Sequence, residues 1–331
     1  MIETYGYARA GFLGNPSDGY FGKTLSFVMS NFRARVLLYP SGRLEIKPSK
    51  VDLPVFENVD ELYRITRWRG YYGGIRIIQA LIVRLVDYCR EQGIELPDRN
   101  FTLEYESNVP QRLGLGGSSA IITASLRALC QYYGLEIPLP VQANLALETE
   151  TRELNVPAGL QDRVVQAYQG LVYMDFSRAL MQARGYGEYE RMDVSTLPNV
   201  FVAYRTSLSE GTEVFHNNLR ERWLRGDAEV VDAMETWAGY AAEGRACLLQ
   251  RNYERLNQLV DANFDLRAKI YQIDPGNLEM VYMARAAGAT ANFAGSGGAI
   301  VGTYDDEPMF ARLTAAGKSV GVAVIKPKIV C

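Results

Sequence analysis

The chain has 331 residues, 48% of them hydrophobic and 22% charged, with a formal net charge of −3. That length fits two domains or one large one with a sizeable core, and the slightly acidic balance gives no electrostatic footprint for nucleic acid. No apolar run reaches the length of a membrane span, and Met1-Ile2-Glu3-Thr4 begins no basic-then-apolar leader, so no membrane association and a cytoplasmic location are expected.

From the N-terminus, residues 5–12 and 27–38 have the β-branched and aromatic content of strands, with a loop over 14–22 between them. Residues 75–89 place apolar side chains at 77, 78, 81, 82, 85 and 86, the spacing of an amphipathic helix. Residues 101–108 alternate like a half-buried strand and lead to Gly114-Leu115-Gly116-Gly117-Ser118-Ser119, where three glycines and two serines fall within six residues. Helices are expected over 120–133 and 141–154, and a strand over 171–176. The polar stretch 177–193 is the candidate domain boundary, dividing the chain into 1–180 and 181–331. Beyond it, a strand is expected over 200–204 and helical patterns over 213–250, 253–271 and 277–287. A second glycine-rich turn, Gly295-Ser296-Gly297-Gly298, lies between apolar flanks in 293–301. The class is α+β.

Cys89, Cys130, Cys247 and Cys331 are scattered without metal-ligand or redox spacing, which points to reduced thiols. His216 is the single histidine, which argues against a His-dependent triad or a multi-histidine metal site; it reads as structural or exposed. Glycine lets a backbone turn sharply and approach a ligand closely. A helix start adds backbone N–H groups and the positive end of the macrodipole, so the 114–120 loop and helix start form a candidate phosphate site. A serine-capped helix after a flexible loop has the same appearance. Residues 17–24 nearly spell the pattern G-x-x-x-x-G-K-[ST]. However, Ser17 replaces the first glycine and the following residues read as strand where such a loop opens a helix, so the segment is not assigned to nucleotide.

Three segments in order resemble the GHMP kinases, the superfamily of galactokinase, homoserine kinase, mevalonate kinase and phosphomevalonate kinase. They are Ala8-Arg9-Ala10-Gly11-Phe12-Leu13-Gly14-Asn15-Pro16-Ser17-Asp18, the glycine–serine loop, and 293–301. Within that superfamily Leu-Gly-Asn-Pro-Ser-Asp (13–18), Gly-Tyr-Tyr-Gly-Gly (70–74), Asp-Arg-Asn-Phe-Thr-Leu (98–103), Ala-Gly-Leu-Gln-Asp-Arg-Val (158–164) and Gly-Leu-Val-Tyr-Met-Asp-Phe (170–176) are most similar to the glucuronokinase family. The resemblance implies an N-terminal ribosomal-protein-S5-like α/β domain and a C-terminal ferredoxin-like α+β domain. It also implies a kinase that transfers the γ-phosphoryl of ATP to the anomeric hydroxyl of a sugar acid, D-glucuronate.

The resemblance also distributes roles. Asp162, in Pro157-Ala158-Gly159-Leu160-Gln161-Asp162, would accept or orient the proton of the attacking hydroxyl; alternatively it caps a helix. Glu150, twelve residues earlier, falls at the galactokinase spacing for the Mg²⁺-binding glutamate, with Glu148 and Glu153 as neighbouring competitors. A serine of the loop would be the second metal ligand: counting from Pro110 selects Ser118, and aligning on Ser-Ser-Ala selects Ser119. ATP would be held by Pro110, Gly114, Leu115, Gly116, Gly117, Ser118, Ser119 and Ala120. Arg9 would support charge on the transferring phosphoryl group, or sit in a salt bridge at a strand end.

Asp18 falls on the aspartate that bonds sugar hydroxyls in galactokinase, while Asn15 and Pro16 depart from that family's Glu-His and fit a different sugar. Lys23 and Arg163 are both candidates for the substrate carboxylate. Gly295, Ser296 and Gly297 would flank the substrate, and Trp68, Tyr71 and Tyr72 would line the adenine pocket or belong to the core. The competing readings are a kinase for a neutral sugar or heptose, and a sugar-sensing homologue without turnover. Oligomeric state is not addressed by the sequence.

Overall fold

The computed structural model describes residues 1–48, 73–205 and 219–330. Trp68, Tyr71, Tyr72 and His216 lie outside the described residues. By internal contact the chain forms two compact units that interleave along the sequence. The first holds 1–7, 32–109 and 117–167, and the second 8–31, 110–116 and 168–331. The units therefore do not part at residue 180, where the polar stretch suggested a boundary. Two long strands, β1 (Ile2–Leu13) and β2 (Lys23–Pro40), contribute residues to both units.

In the first unit the later half of β2 pairs antiparallel with β4 (Phe101–Ser107), from Ala34 opposite Ser107 to Pro40 opposite Phe101. A short β3 (Glu45–Lys47), not expected from the sequence, runs parallel to β4. Helix α1 (Gly74–Glu91) buries Ile77, Ile78, Leu81 and Leu85, the stripe that its spacing predicts. Helix α2 (Gly117–Tyr133) is apolar on nearly every side and buried accordingly. It can approach β1 closely because Gly6 has no side chain: a Cβ there would lie 2.0 Å from the Ala120 carbonyl oxygen. One turn on, Thr4 Oγ1 donates to the Ala124 carbonyl at 2.7 Å, so the start of α2 is fastened to β1 by shape and by a hydrogen bond. Helix α3 (Leu139–Glu148) then widens into a π-helical turn over Thr149–Glu153, where the sequence pattern reads as uninterrupted helix. Helix α4 (Leu160–Tyr168) follows.

In the second unit the early half of β2 pairs with β5 (Leu171–Asp175), and β5 pairs in turn with β6 (Glu188–Met192). A short helix α5 (Arg178–Arg184) connects them, so the stretch read as a candidate domain boundary holds a helix and a paired strand. Lys23 and Thr24 open a strand and not a helix, which settles the P-loop decoy. A separate antiparallel sheet has the order β10-β7-β9-β8, built from β7 (Val200–Arg205), β8 (Asn292–Phe293), β9 (Ala299–Thr303) and β10 (Val322–Ile325). The helices of this unit are α6 (Leu219–Leu224), α7 (Ala228–Gln250), α8 (Tyr253–Ile270), α9 (Pro275–Ala286) and α10 (Glu307–Ser319). Gly226, at a positive φ of 74°, divides what the sequence suggests is one helix into α6 and α7. Phe201, Phe264, Met280, Phe293, Ile300 and Leu313 form the core under this sheet. Among the described residues no helix is long and apolar enough to cross a membrane.

Because the Gly6 contact meets backbone and not a movable side-chain tip, Gly6→Ala is expected to destabilise the protein by about 1–3 kcal/mol. Thermal unfolding would show this as a drop of several degrees. A midpoint matching the wild type would contradict the close approach of α2 to β1.

Candidate active site

In the second unit the two glycine-rich segments meet backbone to backbone. Gly114 and Gly116 hold φ of 61° and 75°, values that L side chains rarely adopt. A Cβ on Gly295 would fall 2.2 Å from the Gly114 carbonyl oxygen, and one on Gly114 would fall 2.8 Å from the Ser296 nitrogen. Arg9, buried at the centre of β1, ties them together. Its Nη1 donates to the Gly114 carbonyl and, at 2.6 Å, to the Ala294 carbonyl, while its backbone N–H donates to the Leu115 carbonyl at 3.0 Å. Gly297 and Gly298 also have positive φ, and the Gly298 N–H is fixed by Asn277 Oδ1 at 2.8 Å. Ser296 is exposed at the tip of this turn.

The 13–18 segment is held by α8. Gly14 N–H donates to Asn263 Oδ1 at 2.8 Å, and Asn263 Nδ2 donates to the Asn15 carbonyl at 3.4 Å. Asp18 sits half-buried in a short 3₁₀ turn (Ser17–Tyr20). Its charge reaches two groups one helical turn apart, Arg267 and Tyr271. Lys23 is ion-paired with Asp175 at 2.7 Å, and that carboxylate raises the ammonium above its ordinary value.

In the first unit Glu150, 3% exposed, lies in the π-helical turn. Arg163 on α4 ion-pairs with it, lies 3.4 Å from the Asp162 carboxylate, and donates to the Gly159 carbonyl at 2.9 Å. Asp162 stands inside the first turn of α4, three residues into the helix, so it is not the helix cap that the sequence allowed. Its side chain is 18% exposed against 4% for Glu150. Ser118 is half-buried at the start of α2, whereas Ser119 is 1% exposed. Leu115 and Ala120 are fully packed and shape the loop from beneath.

The structure thus brings Glu150, Asp162 and Arg163 together, and separately Arg9 with Gly114 and Gly295. It gives both proposed carboxylate partners, Lys23 and Arg163, acidic partners of their own. The residue that the sequence motifs do not single out is Arg267. Helix α8 buries Leu256, Leu259, Val260, Asn263, Phe264 and Arg267, so an arginine stands in line with the apolar stripe. That spacing was the available signal. Among the described residues no cluster of three or more His, Cys, Asp or Glu is arranged around a metal.

The family model described as GHMP kinases N terminal domain matches residues 80–170. Probable glucuronokinase 2 of Arabidopsis thaliana is 44% identical over 321 residues, covering 95% of this chain and 87% of that protein. Glucuronokinase 1 of the same plant is 42% identical over 318 residues, covering 94% and 87%. The galactokinase of Lactococcus lactis, solved with galactose, matches with a TM-score of 0.80 at 14% identity over 99% of this chain and 93% of that one. The fold is the two-domain α+β fold of the GHMP kinases. Within them, the chain belongs to the glucuronokinase family. It is a phosphotransferase with an alcohol group as acceptor and uses ATP.

A buried carboxylate stripped of its cation carries the desolvation penalty alone. Arg163→Met is therefore expected to lower stability by about 3–5 kcal/mol, and adding Glu150→Gln to recover most of it. Chemical unfolding of the single and double variants measures both; additive losses would show that the pair is not coupled.

Proposed function

We propose that the protein phosphorylates the anomeric hydroxyl of D-glucuronate at the expense of ATP, giving glucuronate 1-phosphate and ADP. The observation that carries the chemistry is the acid pair of the first unit, Asp162 and Glu150, held in register by one arginine. The substrate class follows the relatives at 44% and 42% identity, both glucuronokinases.

Each side chain then has a task. Asp162 accepts or orients the proton of the sugar hydroxyl, whose oxygen forms the new bond to the γ-phosphorus as the bond to the β-phosphate oxygen breaks. Arg163 ion-pairs with both carboxylates and aims them. The loop Pro110, Gly114, Leu115, Gly116 with Gly117, Ser118, Ser119 and Ala120 presents backbone to the triphosphate. Glycine at 114 and 116 permits the turn, and α2 adds the positive end of its dipole. Arg9 positions that loop through the Gly114 carbonyl and adds positive charge. Asn15, Asp18, Gly295, Ser296 and Gly297 are assigned to the sugar side.

Glu150 and Ser118 are oxygen donors of the kind Mg²⁺ takes. A site with few protein ligands suits an ion that keeps water and phosphate oxygens around it. Ser118 is taken over Ser119 because the count from Pro110 selects it. When bound, the ion would neutralise charge on the triphosphate.

ATP consumption across D-glucuronate, D-galacturonate, D-glucose, D-galactose and L-arabinose, with ³¹P NMR of the product, tests the reading. An anomeric phosphate doublet with glucuronate is the expected result. Turnover of a neutral sugar in its place would discard the substrate, and bound ATP with no turnover on any sugar would favour a sensor. Asp162→Asn is expected to lower kcat by on the order of 10²–10⁴-fold with ATP affinity little changed. Near-wild-type turnover would remove Asp162 from proton transfer.

A further inference from the structure

A sugar acid differs from a neutral sugar by one negative charge, and its kinase needs a cation to read it. The two arginine and lysine candidates nearest the motifs are already neutralised, Lys23 by Asp175 and Arg163 by Glu150 and Asp162. Arg267 differs from both. It is 1% exposed, and among the described residues no carboxylate stands within ion-pair distance of it.

Its surroundings are mixed. Nη1 donates to the Gly295 carbonyl at 3.0 Å, and the guanidinium lies 5.2 Å from the Tyr271 ring centre and 5.1 Å from that of Phe293. Nε is buried and has no hydrogen-bond partner. A buried charged donor left unmade is costly and needs a reason. The Gly295 carbonyl, the Tyr271 side chain and the Asp18 charge offset part of the cost of burying the guanidinium, and none of them takes up Nε. The burial also lowers the affinity of Arg267 for its proton, although arginine remains charged in proteins.

The position of Arg267 in the second unit joins it to the sugar-side assignments. Gly295, whose carbonyl it holds, touches Arg9 and Gly114, and the charge of Asp18 reaches it from the 3₁₀ turn. Asn263, four residues earlier on the same face of α8, fixes Gly14 and Asn15. One helix face therefore carries both a scaffold for the 13–18 segment and a buried guanidinium whose Nε has no partner.

We infer that Arg267 receives the carboxylate of the sugar acid, through the Nε edge of the guanidinium that Gly295 leaves unused. The assignment rests on the sugar-acid reading and goes beyond it by naming the residue that selects the acid. A planar guanidinium edge matches a carboxylate with two parallel hydrogen bonds, which lysine cannot reproduce.

The test compares D-glucuronate with its neutral amide, D-glucuronamide, in wild type, Arg267→Met and Arg267→Lys, with thermal unfolding as the folding control. For glucuronate, kcat/KM is expected to fall about a hundredfold in Arg267→Met, mostly through KM, and by less in Arg267→Lys. For the amide it is expected to stay within about threefold of wild type, since no charged partner is lost. Parallel losses on both substrates in both variants would make Arg267 a structural residue and overturn the assignment alone. A wild-type enzyme indifferent to glucuronate would overturn the sugar-acid reading and the assignment with it.

Discussion

One guanidinium group holds two loops of the second unit at a fixed spacing. Arg9 donates through Nη1 to the carbonyls of Gly114 and Ala294, and its own N–H binds the Leu115 carbonyl. The loops it joins approach so closely that a methyl group on Gly114 or Gly295 would overlap backbone. Arginine suits this task because its donors sit in a rigid fork and its charge does not titrate. The sharp turn before α2 and the turn 295–298 are both tied to it, and Arg267 is tied to the second through the Gly295 carbonyl.

The same device recurs in the first unit with different acceptors. Arg163 joins Glu150 of the π-helical turn to Asp162 of α4, so that two segments separated in sequence present carboxylates together. A π turn adds a residue to the helical repeat and re-aims the side chains that follow, which is why such turns gather at functional positions. In both units arginine is used to orient groups, and the kinase chemistry asks for little more. Phosphoryl transfer depends on alignment and on charge neutralisation, with no nucleophile required from the protein. Arg267 departs from the pattern because, among the described residues, no carboxylate ion-pairs with it and Asp18 acts on it only through its charge.

The long strands, the apolar helix α2 and the two glycine turns were legible in the sequence because each rests on local chemistry. Alternation marks β4, and positive-φ positions demand glycine at 114, 116 and 297. Other elements were not legible for equally local reasons. Residues 149–153 (Thr-Glu-Thr-Arg-Glu) have helix-forming composition, and only packing decides that they widen. The polar segment 177–193 looks like a linker, yet β6 within it is held by pairing with β5, a long-range contact that composition does not report. Helix α10, with Asp306 as its cap and a proline in its first turn, and the β-branched strand β10 carry local signals that the sequence reading did not use. The partners of charged side chains were the least legible part of the site. Lys23 and Arg163 stand beside the motifs yet carry acidic partners, and Arg267, which no motif marks, is buried.

On the proposed reading the residues act by alignment, and phosphate passes from ATP to the sugar in one step. The stereochemical course at phosphorus tests that claim directly, using ATP made chiral at the γ-phosphorus with oxygen isotopes and sulfur. A single in-line displacement predicts inversion of configuration in the sugar 1-phosphate product. Retention would require two displacements through a phosphorylated side chain, and would contradict the assignment of Asp162 to the sugar proton and of Arg163 and Arg9 to orientation and charge.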